Sequence, residues 1–222
     1  MIKKLFKYRF LIFFTSQLSI LFGSLIFPPS FFEEVLVPIL FLINIASGIL
    51  MISKTKVLFW LYSSLFIISL VVYGLDIVQR NDVESNFGIR LVVYFIFYAS
   101  VSISIIRQVW RAKRVNRNVI VGLMSGYISL GFIAFFMFSS IELYQPGSFA
   151  GITEQGFDLA NKLDSLLYYA YITMLTIGYG DIVPIAPIAQ KAAILVGLMG
   201  QFYTVIITAV VVEKYIKHSS KD

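Results

Sequence analysis

Cysteine is absent from this chain, histidine occurs once, and only 14% of the residues are charged. Without cysteine there is no disulfide, no thiol nucleophile and no thiolate metal site. The lone His218 lies in a polar tail and reads as a solvated side chain, so no histidine-centred metal cluster or acid–base pair can be assembled. No stretch has the spacing of a phosphate-binding loop or of a nucleophile with its base, and the chain reads as not an enzyme. Soluble domains average near a quarter charged residues. The scarcity of charge here therefore argues against a soluble fold.

What fills the sequence is apolar: 59% of the 222 residues are hydrophobic and the mean hydropathy is +0.85. Six apolar runs stand at 10–27, 35–52, 57–75, 91–106, 119–141 and 188–212. Each is near the ~20 residues that cross a bilayer as a helix. The first follows Lys3, Lys4, Lys7 and Arg9 and could be mistaken for a secretory leader, but it ends in LIFPPS with no small-residue cleavage site. It reads as the first spanning helix.

The net charge of +6 matters less than its distribution. Lys and Arg gather at the N-terminus, at Lys54 and Lys56, at Arg107, Arg111, Lys113, Arg114 and Arg117, and in the tail. Only Arg80, Arg90, Lys162 and Lys191 fall in the alternate connections. Positive charge marks the cytoplasmic side of short loops, so six crossings of a cell membrane with both termini cytoplasmic are expected. No nucleic-acid partner is expected. Most acids fall on the outer side, where they would draw cations toward an entrance; solvated loop charge is the plainer account of most of them.

Between the fifth and sixth runs lies TMLTIGYGDIVP, from Thr173 to Pro184. A polar, non-helical stretch at membrane depth is tolerated only where it is buried in protein or lines a pore. It follows SLLYYAYITML, a helix too short to span, with Asp164 expected at its start as a cap. The partial negative charge at the far end of such a helix favours a cation. Stripping water from an ion in a pore takes rings of oxygens. Backbone carbonyls can supply them if alternate residues are left-handed, which glycine adopts at little cost. Gly178 and Gly180 are two apart, Thr176 can add a hydroxyl, and Tyr179 can turn away and pack behind the loop.

With Thr173, Thr176, Ile177, Gly178, Tyr179, Gly180, Asp181 and Pro184 in register, this stretch resembles the potassium channel signature in its prokaryotic form. The resemblance covers about 119–212 and extends to GLMGQFYTVIITAVV in the sixth run. It implies that Thr176, Ile177, Gly178 and Tyr179 supply the oxygens that hold permeant K+, and that Gly180 completes the outer mouth. It implies filter support from Thr173, Tyr168, Tyr169 and Asp181, with Asp181 bonding to the pore helix. Tyr168 and Tyr169 stand where many relatives carry tryptophans. Ile172 stands where some carry a glutamate, so no carboxyl pair forms with Asp181. Gly200, twenty positions after Gly180, falls where relatives place the inner-helix hinge; close helix packing is the competing reading, and it is the reading preferred for Gly197. Thr204 and Thr208 continue that face and are candidate cavity-lining residues.

The first four runs carry no ladder of arginines. The fourth, LVVYFIFYASVSISII, has no charge inside it, whereas a voltage sensor needs several at intervals of three. The basic segment at Arg107, Arg111, Lys113, Arg114 and Arg117 is either a topogenic loop or a contact for anionic lipid. Fewer than a dozen residues follow the sixth run, leaving no room there for a sensing domain. The expected architecture is an all-α membrane protein of six transmembrane helices with a re-entrant pore helix and filter loop. Residues 1–106 form an N-terminal domain, 107–118 a linker, 119–212 the pore domain and 213–222 a tail. Each chain has one filter segment, so a homotetramer is expected, with K+ as permeant ion and no cofactor. The alternatives are a potassium uptake subunit, which would carry repeated and degenerate filter loops, and a non-conducting membrane sensor, for which alternating glycines have no use.

Overall fold

A computed structural model describes residues 2–28, 31–52, 56–79, 86–111, 117–152 and 159–219. Each of the six apolar runs falls on a helix. These are α1 (Ile2–Phe22), α2 (Val37–Ile52), α3 (Lys56–Gln79), α4 (Phe87–Arg111), α5 (Arg117–Tyr144) and, after the shorter α6 (Leu159–Met174), α7 (Pro187–Ser219). A two-residue antiparallel ladder pairs β1 (Phe149–Ala150) with β2 (Val183–Pro184).

Among the described residues, five helices are long and apolar enough to cross a membrane, over Tyr8–Leu25, Lys56–Leu75, Phe87–Gln108, Arg117–Tyr144 and Pro187–Glu213. The second run differs from the single span read over 35–52. Its α-helix has 16 residues, about 24 Å at 1.5 Å per residue, short of a ~30 Å hydrocarbon layer. A π-helical turn, Phe32–Leu36, leads into it, and the Val37 N–H bonds to the Phe32 carbonyl five residues back. Pro38 gives the reason: it has no N–H for the carbonyl four residues earlier, so the regular ladder cannot run through it.

The chain forms two compact units. The first comprises α1, α2 and α3, the later part of α4 from Ser100, and α5 up to Gly126. Its interior is apolar but studded with neutral polar groups. Phe13, Ile45 and Tyr62 are fully buried beside Gln17 and Asn44. Asn44 on α2 donates from Nδ2 to Ser16 Oγ at 2.7 Å and to the Phe13 carbonyl at 3.3 Å, both on α1. Ser100 Oγ on α4 donates to the Tyr62 hydroxyl on α3 at 3.1 Å. Every buried polar side chain described in this unit is a serine, a glutamine or an asparagine.

The second unit takes the early part of α4, most of α5, and everything described after it. Its core is aromatic. Tyr98 stacks on Phe132 with centroids 4.8 Å apart, and Phe138 meets Tyr169 at 5.0 Å and Phe149 at 5.4 Å.

Candidate functional site

Helix α6 buries Leu166, Ala170 and Met174 at intervals of four, one stripe of its surface. It begins at Leu159. Asp164 therefore lies in its second turn and is not the cap that the sequence suggested. With 16 residues it reaches ~24 Å and does not span. Tyr171 anchors it, donating from its hydroxyl to the Ile128 carbonyl of α5 at 2.8 Å.

The helix ends in a Schellman motif. The Ile177 N–H bonds to the Ile172 carbonyl at 2.9 Å and the Thr176 N–H to the Thr173 carbonyl at 3.1 Å. The residue between, in the left-handed position where glycine is usual, is Thr176, with φ +58°. Gly178 and Gly180 follow at +60° and +83°. Left-handed backbone thus recurs at every second residue, the alternation that turns successive carbonyls the same way. Among described residues Thr176 is the one non-glycine with positive φ. A β-branched residue is strained there, and such strain persists where the surroundings hold it and the side chain is needed.

The segment after this loop is held on three sides. Tyr168 hydrogen-bonds from its hydroxyl to the Asp181 carboxylate, and Tyr169, buried, bonds to Thr173. Phe149 on β1 packs edge-on against Tyr169 at 5.4 Å. The Ser148 carbonyl accepts from the Ile185 and Ala186 N–H groups at 2.9 and 3.2 Å. Gly151 lies so close to Asp181 that a Cβ there would overlap the Asp181 carbonyl oxygen. Glu142, at the end of α5, accepts from the Gly147 and Ser148 N–H groups at 2.8 and 2.9 Å and fixes this turn. The sequence signal for this role is the place of Glu142 just before YQPGS, a turn whose amides need an acceptor.

Helix α7 packs its Gly200 against the end of α6, where a Cβ would overlap the Met174 carbonyl oxygen. That contact gives Gly200 a packing reason independent of bending. Gly197 has no neighbour within 4 Å of its Cβ position among the described residues, so its packing role is not met within the chain. Thr204 donates from Oγ1 to the Gly200 carbonyl at 3.0 Å, a back-bond that often accompanies helix bending. Thr204 and Thr208 are exposed on α7, as is Gln201, which the sequence offers within GLMGQFYTVIITAVV without a role of its own. Its Nε2 reaches Thr176 Oγ1 at 3.5 Å. A glutamine deep inside the apolar run of α7 was the signal.

The structure therefore brings Thr173, Thr176, Tyr168, Tyr169 and Asp181 around one loop. Tyr179 is 72% and Ile177 47% exposed, so the packing of Tyr179 behind the loop is not made within one chain. Of the basic segment, Arg107 and Arg117 are exposed, and Lys113 and Arg114 lie outside the described residues.

Residues 122–217, from within α5 to the last turn of α7, match a family model described as an ion channel. No curated protein and no solved structure matches the chain. The match and the apolar helices support an ion channel domain in a membrane protein, and point to transport in place of enzymatic chemistry.

Proposed function

We propose that this ion channel domain conducts potassium, selectively and passively, and that four copies of the chain surround one pore in a cell membrane. The observation that carries the reading is the alternation of left-handed backbone at Thr176, Gly178 and Gly180 within TIGYGD. Four such loops would stack the carbonyls of Thr176, Ile177, Gly178 and Tyr179, with the Thr176 hydroxyls beneath, into rings that replace the hydration shell of K+. One loop per chain cannot close a ring, which supports the tetramer. So does the exposure of Ile177 and Tyr179, surfaces that neighbouring copies would cover.

Six crossings with both termini cytoplasmic follow from the charge distribution. Helix α2 then crosses with the help of its π-helical entry turn. With no charge inside 91–106, opening does not draw on gating charges, each worth ~2.3 kcal/mol per 100 mV. The basic segment around Arg107, Arg111 and Arg117 suits anionic lipid headgroups. The test is flux: the purified chain in liposomes with a potassium gradient. Potassium and rubidium should pass, sodium should lag far behind, and barium should block. Equal sodium and potassium flux would refute the reading.

A further inference from the structure

We infer that Gln201 is a positioning residue for the innermost cation site, acting through the Thr176 hydroxyl. The inference rests on the potassium-channel reading and adds to it a determinant on the inner helix. Three observations converge. First, Thr176 occupies a left-handed position at φ +58° that glycine would fill without strain, so its side chain has a use there. Second, the Gln201 amide reaches that side chain, Nε2 to Oγ1, at 3.5 Å. Third, the neighbouring Gly200 seats α7 directly on the Met174 carbonyl, and this holds residue 201 level with the base of the loop.

The chemistry is that of a two-faced hydroxyl. A threonine hydroxyl has one O–H and two lone pairs. An amide N–H that takes one lone pair fixes the rotor and leaves the other free to face a cation. Glutamine is uncharged, so it orients the hydroxyl without placing a fixed charge under the filter. Polar residues inside membrane helices cost free energy and mark ion pathways. Gln201 is exposed in the single chain, on the face it shares with Thr204 and Thr208 at steps of three and four. At 3.5 Å the contact is at the long limit of a hydrogen bond, and the three rotatable bonds of the side chain allow it to close when an ion draws the hydroxyl inward.

The test uses barium, a divalent cation of potassium's size, applied from the cytoplasmic side of the reconstituted full-length channel. Gln201→Met keeps the shape and removes the donor. It should weaken block roughly fivefold, the scale of one hydrogen bond's net contribution, with tetramer melting unchanged. In the Thr176→Val background, the same Gln201 substitution should change block no further. Gln201→Asn, too short to reach, should behave like the methionine variant. Wild-type block in Gln201→Met would overturn the inference, as would an equal loss in both backgrounds, since the amide would then act without Thr176. A variant that weakens the tetramer and leaves block unchanged makes Gln201 a packing residue and also overturns it. The outcomes separate from the parent reading: a wild-type protein that passes no potassium refutes the channel, whereas a potassium-selective wild type with unaltered Gln201→Met block refutes this inference alone.

Discussion

Between α1 and α2, polarity ties helix to helix: Asn44 donates to Ser16 and to the Phe13 carbonyl, and the buried polar side chains described in that unit are neutral. Beyond α6 the arrangement is reversed. Alternate residues of the loop at 176–180 are left-handed, and the stretch belongs to neither a helix nor a sheet. The first unit uses polarity to fix helix pairing, where interhelical bonds in a bilayer contribute modestly. The second braces the turns around this loop through Tyr168, Tyr169, Ser148 and Glu142; on the proposed reading, the backbone oxygens of the loop are the ones that would meet an ion. Substitutions in the first should therefore move stability, and those at the loop of the second should move conduction.

The largest effect is expected at Gly178. Alanine there meets no neighbour, so the cost is backbone strain alone, about 1–2 kcal/mol per subunit, imposed on each loop of the ring. Gly178→Ala should abolish potassium flux while the tetramer still forms, read by flux and native electrophoresis. At Gly200 the penalty is steric, against the Met174 backbone, and overpacking costs ~1–3 kcal/mol per site. Gly200→Ala should lower tetramer melting. A stable tetramer with altered open probability would favour the hinge reading.

Tyr168→Phe removes the bond to the Asp181 carboxylate. Tyr168 is exposed in the single chain, so solvent screening keeps the effect modest. Currents should decline faster during sustained opening, and Tyr168→Trp, which restores an N–H donor, should recover them. The smallest effect is expected at Asn44, where an interhelical bond in a bilayer contributes ~0.6–2 kcal/mol. Asn44→Leu should lower the melting temperature slightly and leave selectivity untouched. A changed selectivity would erase the contrast between the two units.

The helices and the loop were legible because period and composition speak locally: long apolar runs, two glycines at a spacing of two, a short amphipathic segment before them. What escaped depended on contacts distant in sequence. Glu142 and Gly151 take their roles from a turn folding back on Asp181. Gln201 takes its role from α7 resting on Met174. Asp164 was misplaced because the polar residues of LANK read as loop, whereas α6 runs through them. The π-helical turn before α2 could have been suspected from Pro38, but a proline alone does not say which way the ladder will shift.

The central claim is that the loop at 176–180 selects potassium. The direct measurement is the reversal potential across a planar bilayer containing the purified wild-type protein, with potassium on one side and sodium on the other. A reversal potential displaced strongly toward the potassium equilibrium value, and returned near zero when sodium is replaced by rubidium, is the predicted result. A reversal potential near zero with sodium opposite potassium, in a conducting wild-type tetramer, would contradict it.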